Sequence, residues 1–470
     1  MTRAHPLAIA GCLCLLGFGP QSALAQQGGA RGDGGPLLTF SVRSELAATD
    51  NFDLSPGGGE NARIFDTRLS LGYRDRRAND TLSFDLSGLL RGLERPEDGR
   101  RLDNRTARFG YDREGVFSTL SLGAEYSAVA VRDRAIFDPD EFIGVDFIDE
   151  TELSQDRGTR EQISTRLRFE TGLNHPLGLT LEGRYREQSF SGVTDPGLFE
   201  SRTANLSGTL RFTLSPVTEF RLTARAEDYK ADDDPETRRK TRSVSLGLTQ
   251  ALSQIDTLEA SLGYQRIETE ETVLLAREAT TNAGLFGSIG LTREQRRGSI
   301  GTAFDLRRSV NGSTAIWRVN RTLELPRGAL DVSLGVSSDV SGRIRPTGRA
   351  NVTYELARAS FTAGIEQEFS TSTQGTELRN TRASLGYRHE VNSLSQIAVS
   401  ANFVEFAELT GADPSDTRRA EFRITYDRDL TRDWRLSSGY EHRFRSETGE
   451  SNARSTRVFM VLERAFEIRP

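Results

Sequence analysis

The sequence predicts an all-β fold, a single transmembrane antiparallel up-and-down β-barrel of about 22 strands. Three observations predict it. Segments of about ten residues alternate between apolar and polar side chains, aromatic residues collect at the ends of these segments, and short connections alternate with long ones. A tilted membrane strand needs about 9–11 residues, so the alternation fits a bilayer better than the shorter strands of a soluble sandwich.

The first element is a predicted signal peptide at residues 1–25. Arg3 supplies the positive charge, residues 7–19 form an apolar run, and Ala23 and Ala25 are the small residues that a signal peptidase reads. We therefore expect cleavage after residue 25 and export from the cytoplasm.

The cysteines leave one alternative for this leader. Cys12 could be the lipid-anchored residue of a lipoprotein, although the apolar run continues beyond it. Cys12 and Cys14 are the two cysteines of the chain, so the mature protein would have none, which excludes disulfides and thiol catalysis. Residues 26–36 are expected to be a short Gly-rich periplasmic N-terminus, and residues 37–470 the barrel.

The period-two alternation is clear at residues 63–74, where one phase is mostly apolar and the other is polar. The first phase contains Phe65, Thr67, Leu69, Leu71 and Tyr73, and the second contains Asp66, Arg68, Ser70, Gly72 and Arg74. The same pattern returns at residues 163–170 and 421–427. In a membrane barrel the apolar phase faces lipid and the polar phase faces a wet interior.

Aromatic residues at the ends of the apolar phases predict two interfacial girdles. One set flanks short connections and comprises Tyr73, Tyr111, Phe212, Phe220, Tyr354, Phe361, Tyr387, Tyr426 and Trp434. The other set lies at the opposite strand ends and comprises Tyr126, Tyr185, Tyr264, Phe403 and Tyr440.

The connections predict the orientation of the barrel. Longer polar connections are expected at residues 51–61, 132–160, 191–200, 229–240, 267–280, 407–417 and 445–453. Outer-membrane barrels place long loops outside and short turns in the periplasm. An even number of strands then puts both the N- and the C-terminus in the periplasm.

The polar phase of three predicted strands, the sixth, seventh and ninth, mixes charges of both signs. The candidate pore-lining residues are Arg166, Arg168, Arg184, Arg186, Arg221, Arg225, Glu170, Glu182 and Glu227. Two interpretations stay open. These residues form either a network of ion pairs around a wet interior or a basic ladder for an anionic solute, since rings of Arg set anion preference in pores.

No catalytic or cofactor-binding residue is predicted. Beyond the leader the histidines are His175, His389 and His442. His175 lies in a short turn, and the other two continue outward phases, so none is placed beside a lumen-facing Ser or Asp. No metal ligand is assigned either, although the acidic connection at 132–160 leaves Ca²⁺ binding as an alternative to a solvated loop. The net charge of −6 and the lack of an exposed basic face exclude nucleic acid as a partner.

A short motif follows the first predicted strand. Thr49-Asp50-Asn51, followed by Leu54-Ser55, resembles the start of the large outer-membrane barrels of the β-barrel porin 2 family, which are similar to barrels associated with exopolysaccharide and PEP-CTERM gene clusters. The resemblance covers only the first hairpin. It implies a large envelope barrel of unassigned substrate and transfers no catalytic residue.

The function expected from these features is a porin-like channel or export conduit in the outer membrane of a Gram-negative bacterium. Its solutes would be polar, with anions and saccharides as candidates. The alternative is a closed structural or binding barrel whose outer loops contact a partner, and an enzyme is the third possibility. The expected partners are the lipid bilayer and a periplasmic or plug protein, while the oligomeric state stays open.

The longest connection predicts a constriction. Barrels of 16–18 strands already hold an aqueous channel, whereas 22-stranded transporters have a plugged lumen, and the predicted N-terminus is too short for a plug. The connection at 132–160 has an apolar centre, and burial of these side chains away from water is favourable. The centre is formed by Phe142, Ile143, Val145, Phe147 and Ile148. These residues are the constriction-loop candidates.

Deletion of residues 138–150 should therefore leave the barrel assembled and raise its single-channel conductance severalfold, because the narrowing segment is removed. Planar-bilayer recording of the purified protein measures this. Unchanged conductance would instead indicate a separate plug protein, and silence before and after the deletion would indicate a closed barrel.

Overall fold

A computed structural model describes residues 35–93, 101–131, 158–195, 197–273, 276–371, 376–409 and 415–469. The predicted signal peptide and most of the predicted N-terminal segment lie outside the described residues, as do the five constriction-loop candidates. No helix in the described ranges is long and apolar enough to cross a membrane.

The described residues form one sheet of 22 strands. In chain order these are β1 (Gly35–Thr49), β2 (Ala62–Arg76), β3 (Asp80–Leu93), β4 (Arg101–Glu114), β5 (Ser118–Ala130), β6 (Thr159–Thr171), β7 (Leu177–Ser191), β8 (Ser201–Ser215), β9 (Thr218–Ala231), β10 (Arg238–Ala251), β11 (Asp256–Val273), β12 (Ala276–Gln295), β13 (Gly298–Ser309), β14 (Gly312–Leu325), β15 (Gly328–Ser338), β16 (Ile344–Glu355), β17 (Ala359–Thr371), β18 (Glu377–Asn392), β19 (Ser395–Glu408), β20 (Asp416–Asp429), β21 (Trp434–Glu447) and β22 (Ala453–Ile468).

Every strand pairs antiparallel with its neighbours in the chain, and β1 also pairs antiparallel with β22 over Leu38–Thr49 and Arg457–Ile468. That last ladder closes the sheet into a barrel, so no strand edge is left for lipid to contact. The predicted fold class, an up-and-down antiparallel barrel with an even number of strands, is confirmed.

The apolar phase of each strand faces outward. Leu69 and Leu71 on β2 and Leu167 on β6 are all exposed, although they are large and apolar. In a closed barrel such side chains lie on the lipid-facing wall. Aromatic residues align there across neighbouring strands near the short turns, as in the pairs Phe212–Phe220 and Phe361–Tyr387.

Long and short connections lie at opposite ends of the barrel. Pro216 and Val217 alone join β8 to β9, whereas twelve residues, 50–61, separate β1 from β2. β1 begins and β22 ends at the short-turn end, which is the periplasmic end of an outer-membrane barrel.

One predicted long connection, at residues 267–280, is wrong. β11 continues to Val273 and β12 starts at Ala276, and the two strands stay paired through Thr269–Thr280 and Glu271–Glu278. The β-branched residues in this segment favour extended, cross-strand paired backbone over a loop, so the polar run that suggested a loop is the end of a long hairpin.

The inner wall near the long connections includes a small apolar cluster. Ala47, Ile64, Phe459 and Val461 are buried there, and Phe52 from the first connection packs against them. The connection between β1 and β2 therefore lies against the inner wall at the mouth of the barrel.

The outward position of Leu167 and the inward position of Arg166 lead to a direct test. Leu167→Arg should cost about 2–4 kcal/mol and impair membrane insertion, because it places a cation in lipid. Arg166→Leu should leave assembly intact. Folding yield into lipid vesicles, followed by heat-modifiable gel mobility, measures both, and equal tolerance at the two positions would contradict the assigned facing.

Candidate functional site: the charged inner wall

The structure brings all nine predicted pore-lining residues to one face. On each strand they alternate with an exposed leucine, namely Leu167 on β6, Leu181 on β7 and Leu222 on β9. The nine side chains therefore all point to the interior of the barrel. The residues are Arg166, Arg168, Glu170, Glu182, Arg184, Arg186, Arg221, Arg225 and Glu227.

Part of this face forms ion pairs. Arg168 Nε donates to Glu170 Oε1 over 3.0 Å, and Arg168 Nη1 lies 3.1 Å from Glu182 Oε1 on the next strand. Arg221 Nε donates to Glu219 Oε1 over 2.6 Å. The Arg168 side chain keeps 53% of its surface exposed, so these pairs lie in a wet space and each contributes little to stability.

The rest of this face consists of Glu227, whose carboxylate accepts a hydrogen bond from the Asn205 amide over 3.0 Å, and four arginines. We call these four, Arg166, Arg184, Arg186 and Arg225, the arginine ladder. All four side chains are exposed, and Arg166 lies directly opposite Arg184 in the register of β6 and β7. Among the described residues no ion pair holds any of the four. Like charges directly opposite each other are destabilising, so this arrangement favours water or an anion between the guanidinium groups.

A second charged group, not singled out from the sequence, lies on β20, β21, β22 and β1. Arg423 Nη2 is 2.7 Å from Glu441 Oε2, and Arg443 Nε is 3.2 Å from Glu441 Oε1. Glu45 on β1 pairs with Arg457 on β22 across the closing ladder. The Glu441 side chain is only 3% exposed, so loss of both arginines would leave its buried charge uncompensated.

A cavity of about 460 Å³ forms a third charged region on the inner wall, between β11 and β17. Glu259, Arg318, Arg349 and Glu368 contribute to its lining. Arg318 Nη2 donates to Asp305 Oδ2 over 2.6 Å. The inner wall is thus mixed in sign around its circumference, and the arginine ladder lies on its β6–β9 side.

A tight turn at the mouth, between β15 and β16, is held by one carboxylate. Asp339 accepts hydrogen bonds from the Ser341 and Arg343 backbone N–H groups at 3.0 and 2.8 Å, and from the Arg345 guanidinium at 3.2 Å. Burial alone would raise the pKa of the Asp339 carboxyl, but these donors outweigh burial and hold its pKa well below the usual range. Asp339 therefore stays charged at any pH the cell surface meets and keeps the two arginines in place.

The described residues contain no group of three or more His, Asp or Glu placed to hold a metal ion. His389 stacks on Tyr387 and His442 contacts Thr456, and both continue the outward phase. Residues 132–157 of the acidic connection, for which Ca²⁺ binding was an alternative, lie outside the described residues.

Comparison with known proteins shows the fold. No family model and no curated protein sequence matches the chain. Similar solved structures include the FrpB iron transporter from Neisseria meningitidis, with 10% identity, a TM-score of 0.59 and coverage of 91% of this chain and 82% of that one. The siderophore receptor PirA from Acinetobacter baumannii has 8% identity, a TM-score of 0.56 and coverage of 93% and 81%. The copper transporter OprC has 13% identity, a TM-score of 0.52 and coverage of 92% and 81%.

These findings show that the chain has the fold of an outer-membrane β-barrel, and they correct one prediction. The resemblance to the β-barrel porin 2 family is wrong, since the similar structures are transporters and receptors for iron, siderophores and copper. The motif that suggested it is short, and its residues have a structural role that depends on barrel closure rather than on a family.

Two residues of this motif connect the first strand to the last. The Thr49 and Ser455 hydroxyls are 3.0 Å apart and buried, and Asp50 Oδ1 accepts a hydrogen bond from the Thr456 N–H over 2.6 Å. The partners are separated by 406 residues in the chain. The motif therefore extends the β1–β22 ladder beyond its last backbone pair.

Asn51 continues this connection and shapes the turn. Its Nδ2 donates to the carbonyl oxygens of Ser55 and Arg454, each at 3.0 Å, and its Oδ1 accepts from the Ser55 N–H at 2.9 Å. Leu54 has a φ of 48°, a left-handed conformation that costs free energy in a non-Gly residue. The hydrogen bonds of Asn51 offset that cost and attach the first connection to β22.

Asn51→Ala should lower the free energy of unfolding by about 1–3 kcal/mol, because the backbone groups of Ser55 and Arg454 lose their hydrogen bonds to the buried Asn51 amide. Asn61→Ala is the matched control, since Asn61 is exposed in the same connection. Urea unfolding in detergent, followed by intrinsic fluorescence, measures both variants. Equal stability of the two would contradict the closing role of the motif.

Proposed function

We propose that the protein is an outer-membrane conduit for polar solutes of negative charge, with the arginine ladder as the stretch of inner wall that contacts them. The ladder is the observation that carries this proposal. Four exposed guanidinium groups face the interior without an ion-pair partner among the described residues, and two of them lie directly opposite each other. The transport class is supported by the similar structures, which are named as transporters and receptors.

The chemistry of Arg suits this role. Its guanidinium is always charged and presents a planar fork of donors that matches carboxylate and phosphate. Because Arg166 and Arg184 face each other across the register of β6 and β7, an anion between them relieves their repulsion. Saccharides and exopolysaccharide export depended on the family resemblance and are not part of the proposal.

The conduit is narrower than an open barrel of this strand number. Phe52 of the first connection packs on the inner-wall cluster of Ala47, Ile64, Phe459 and Val461. That connection reduces the mouth, and the predicted constriction loop at residues 142–148 would reduce it further. Narrowing of the mouth by the first connection favours passage of small solutes.

A second candidate function is a closed binding barrel, and one observation favours it. Leu378, Val404 and Phe406 belong to the inward phase near the long connections, yet they are 4%, 0% and 4% exposed. Apolar side chains buried in that position are not lining open water. A barrel with a covered mouth would bind a partner or solute without conducting ions.

The conduit proposal predicts anion preference. Wild-type protein in a planar bilayer under a KCl gradient should give a reversal potential displaced toward that of Cl⁻. The double variant Arg166→Gln/Arg184→Gln should lose most of this displacement, because it removes the two facing cations of the arginine ladder. Arg202→Gln is the matched control, since Arg202 belongs to the outward phase of β8 and should leave the reversal potential unchanged.

A cation-selective wild type would contradict the role of the arginine ladder. An equal shift in the Arg202 variant would show that the effect comes from total charge and not from the inner wall. Complete absence of conductance in folded protein would favour the closed binding barrel instead.

A further inference from the structure

The outer wall of the barrel contains a groove, which we call the lipid-side groove, with a volume of about 750 Å³. Its floor consists of small outward residues on five consecutive strands, β5 to β9, namely Ala124, Thr165, Gly183, Ala204 and Ala226. Its rims are large and apolar, formed by Leu122, Leu167 and Leu206. Neighbouring strands lie about 4.8 Å apart, so five strands span roughly 19 Å.

The centre of the floor is a glycine, although the backbone conformation at this position would accept a larger residue. Gly183 lies in register between Leu167 on β6 and Leu206 on β8, and a Cβ added there would meet its nearest neighbour, the Leu167 Cβ, at an ordinary 3.8 Å. No strain or close approach requires glycine at this position. Its consequence is open volume between Leu167 and Leu206 on the lipid-facing wall.

The groove ends at two exposed cations on β10, Lys240 and Arg242, beside the exposed Asp228 on β9. Lys240 is flanked in register by Asp228 and Glu268. Arg242 instead lies between Ala226 on β9 and another cation, Arg266 on β11. Arg266 forms an ion pair with Glu268. Arg242 has no acidic residue directly opposite it on either neighbouring strand.

The position of these cations matches the level of lipid headgroups. One residue pair further from the mouth, Val244 and Tyr264 face each other and are 54% and 55% exposed, at the edge of the apolar belt. β10 starts at the long-connection end, so Lys240 and Arg242 lie at the outer interface. The floor descends from there toward the middle of β5 and β6.

We propose that the lipid-side groove binds a phosphorylated glycolipid of the outer leaflet. One acyl chain lies along the small-residue floor, and a headgroup phosphate contacts Arg242 and Lys240. The apolar trough and the cationic end match the two halves of such a molecule, whereas a second copy of this chain would bring the same cations to the contact. The proposal concerns the outer wall and does not rest on the conduit.

A second groove on the outer wall provides an internal control. It has a volume of about 380 Å³, a floor that includes Ala383, Ala401 and Ala420, and rims formed by Phe403 and Phe422, with no Lys or Arg in its lining. It can accept a chain, and its lining includes His442 but no permanently charged cation for a phosphate. Lipid retained there should not depend on headgroup charge.

Native mass spectrometry of the full-length protein in detergent, titrated with diphosphoryl lipid A, tests the proposal. Arg242→Gln/Lys240→Gln should weaken retention about tenfold, equivalent to roughly 1.4 kcal/mol, by removal of the phosphate contacts. Ala226→Leu should weaken it similarly by filling the floor, while Ala401→Leu in the other groove should leave it unchanged. Heat-modifiable gel mobility checks that each variant is folded. If Ala226→Leu does not assemble, the single variant Arg242→Gln, a change at the exposed surface, tests the phosphate contact by itself.

Three results would overturn the proposal. The first is retention of lipid A that is equal in wild type and both groove variants. The second is binding of inorganic phosphate that competes fully with lipid A, since this would indicate an anion site with no role for the acyl chain. The third is a wild-type dimer that Ala226→Leu abolishes, which would assign the groove to a second copy of the chain.

Discussion

The whole structure depends on the ladder between β1 and β22. Hydrocarbon offers no partner to a backbone N–H or C=O group, so a sheet can cross a membrane only if its first and last strands meet. Here those strands lie more than 400 residues apart in the chain, and Leu38–Thr49 pairs with Arg457–Ile468. The side chains of Thr49, Asp50 and Asn51 add bonds from the first connection to β22, and Glu45 with Arg457 adds an ion pair on the inner side.

Closure also separates the residues of each strand into two environments. Thr165 and Arg166 are adjacent in the chain, as are Gly183 and Arg184, yet the first of each pair faces lipid and the second faces the interior. The same strands therefore carry the arginine ladder inside and the floor of the lipid-side groove outside. A change of register by one residue would exchange both surfaces at once, so the two candidate sites share one structural requirement.

The inner wall shows how burial decides the role of charge. Glu441 is almost fully buried between Arg423 and Arg443, where charges are tolerated because partners compensate them. Arg166 and Arg184 are exposed and face each other, which is acceptable only beside water or an anion. We interpret the first group as a structural ion-pair cluster on β20 and β21, and the second, under the proposed function, as the surface that contacts solute.

The sequence by itself determined the strands, their facing and the parity of the barrel, because period-two alternation is a local property of each segment. It therefore placed Leu167 outside and Arg166 inside, and it collected the nine charged candidates on one face. The prediction of a long connection at residues 267–280 was wrong, because strand pairing there prevails over the polar composition. The motif at Thr49–Ser55 was wrongly interpreted as evidence for a family. Only the tertiary structure decided that this motif bonds to β22, that Glu441 joins Arg423 and Arg443, and that small residues from five strands form one groove. These features depend on register between strands and on closure of the ends, and neither is encoded in the pattern of any single strand.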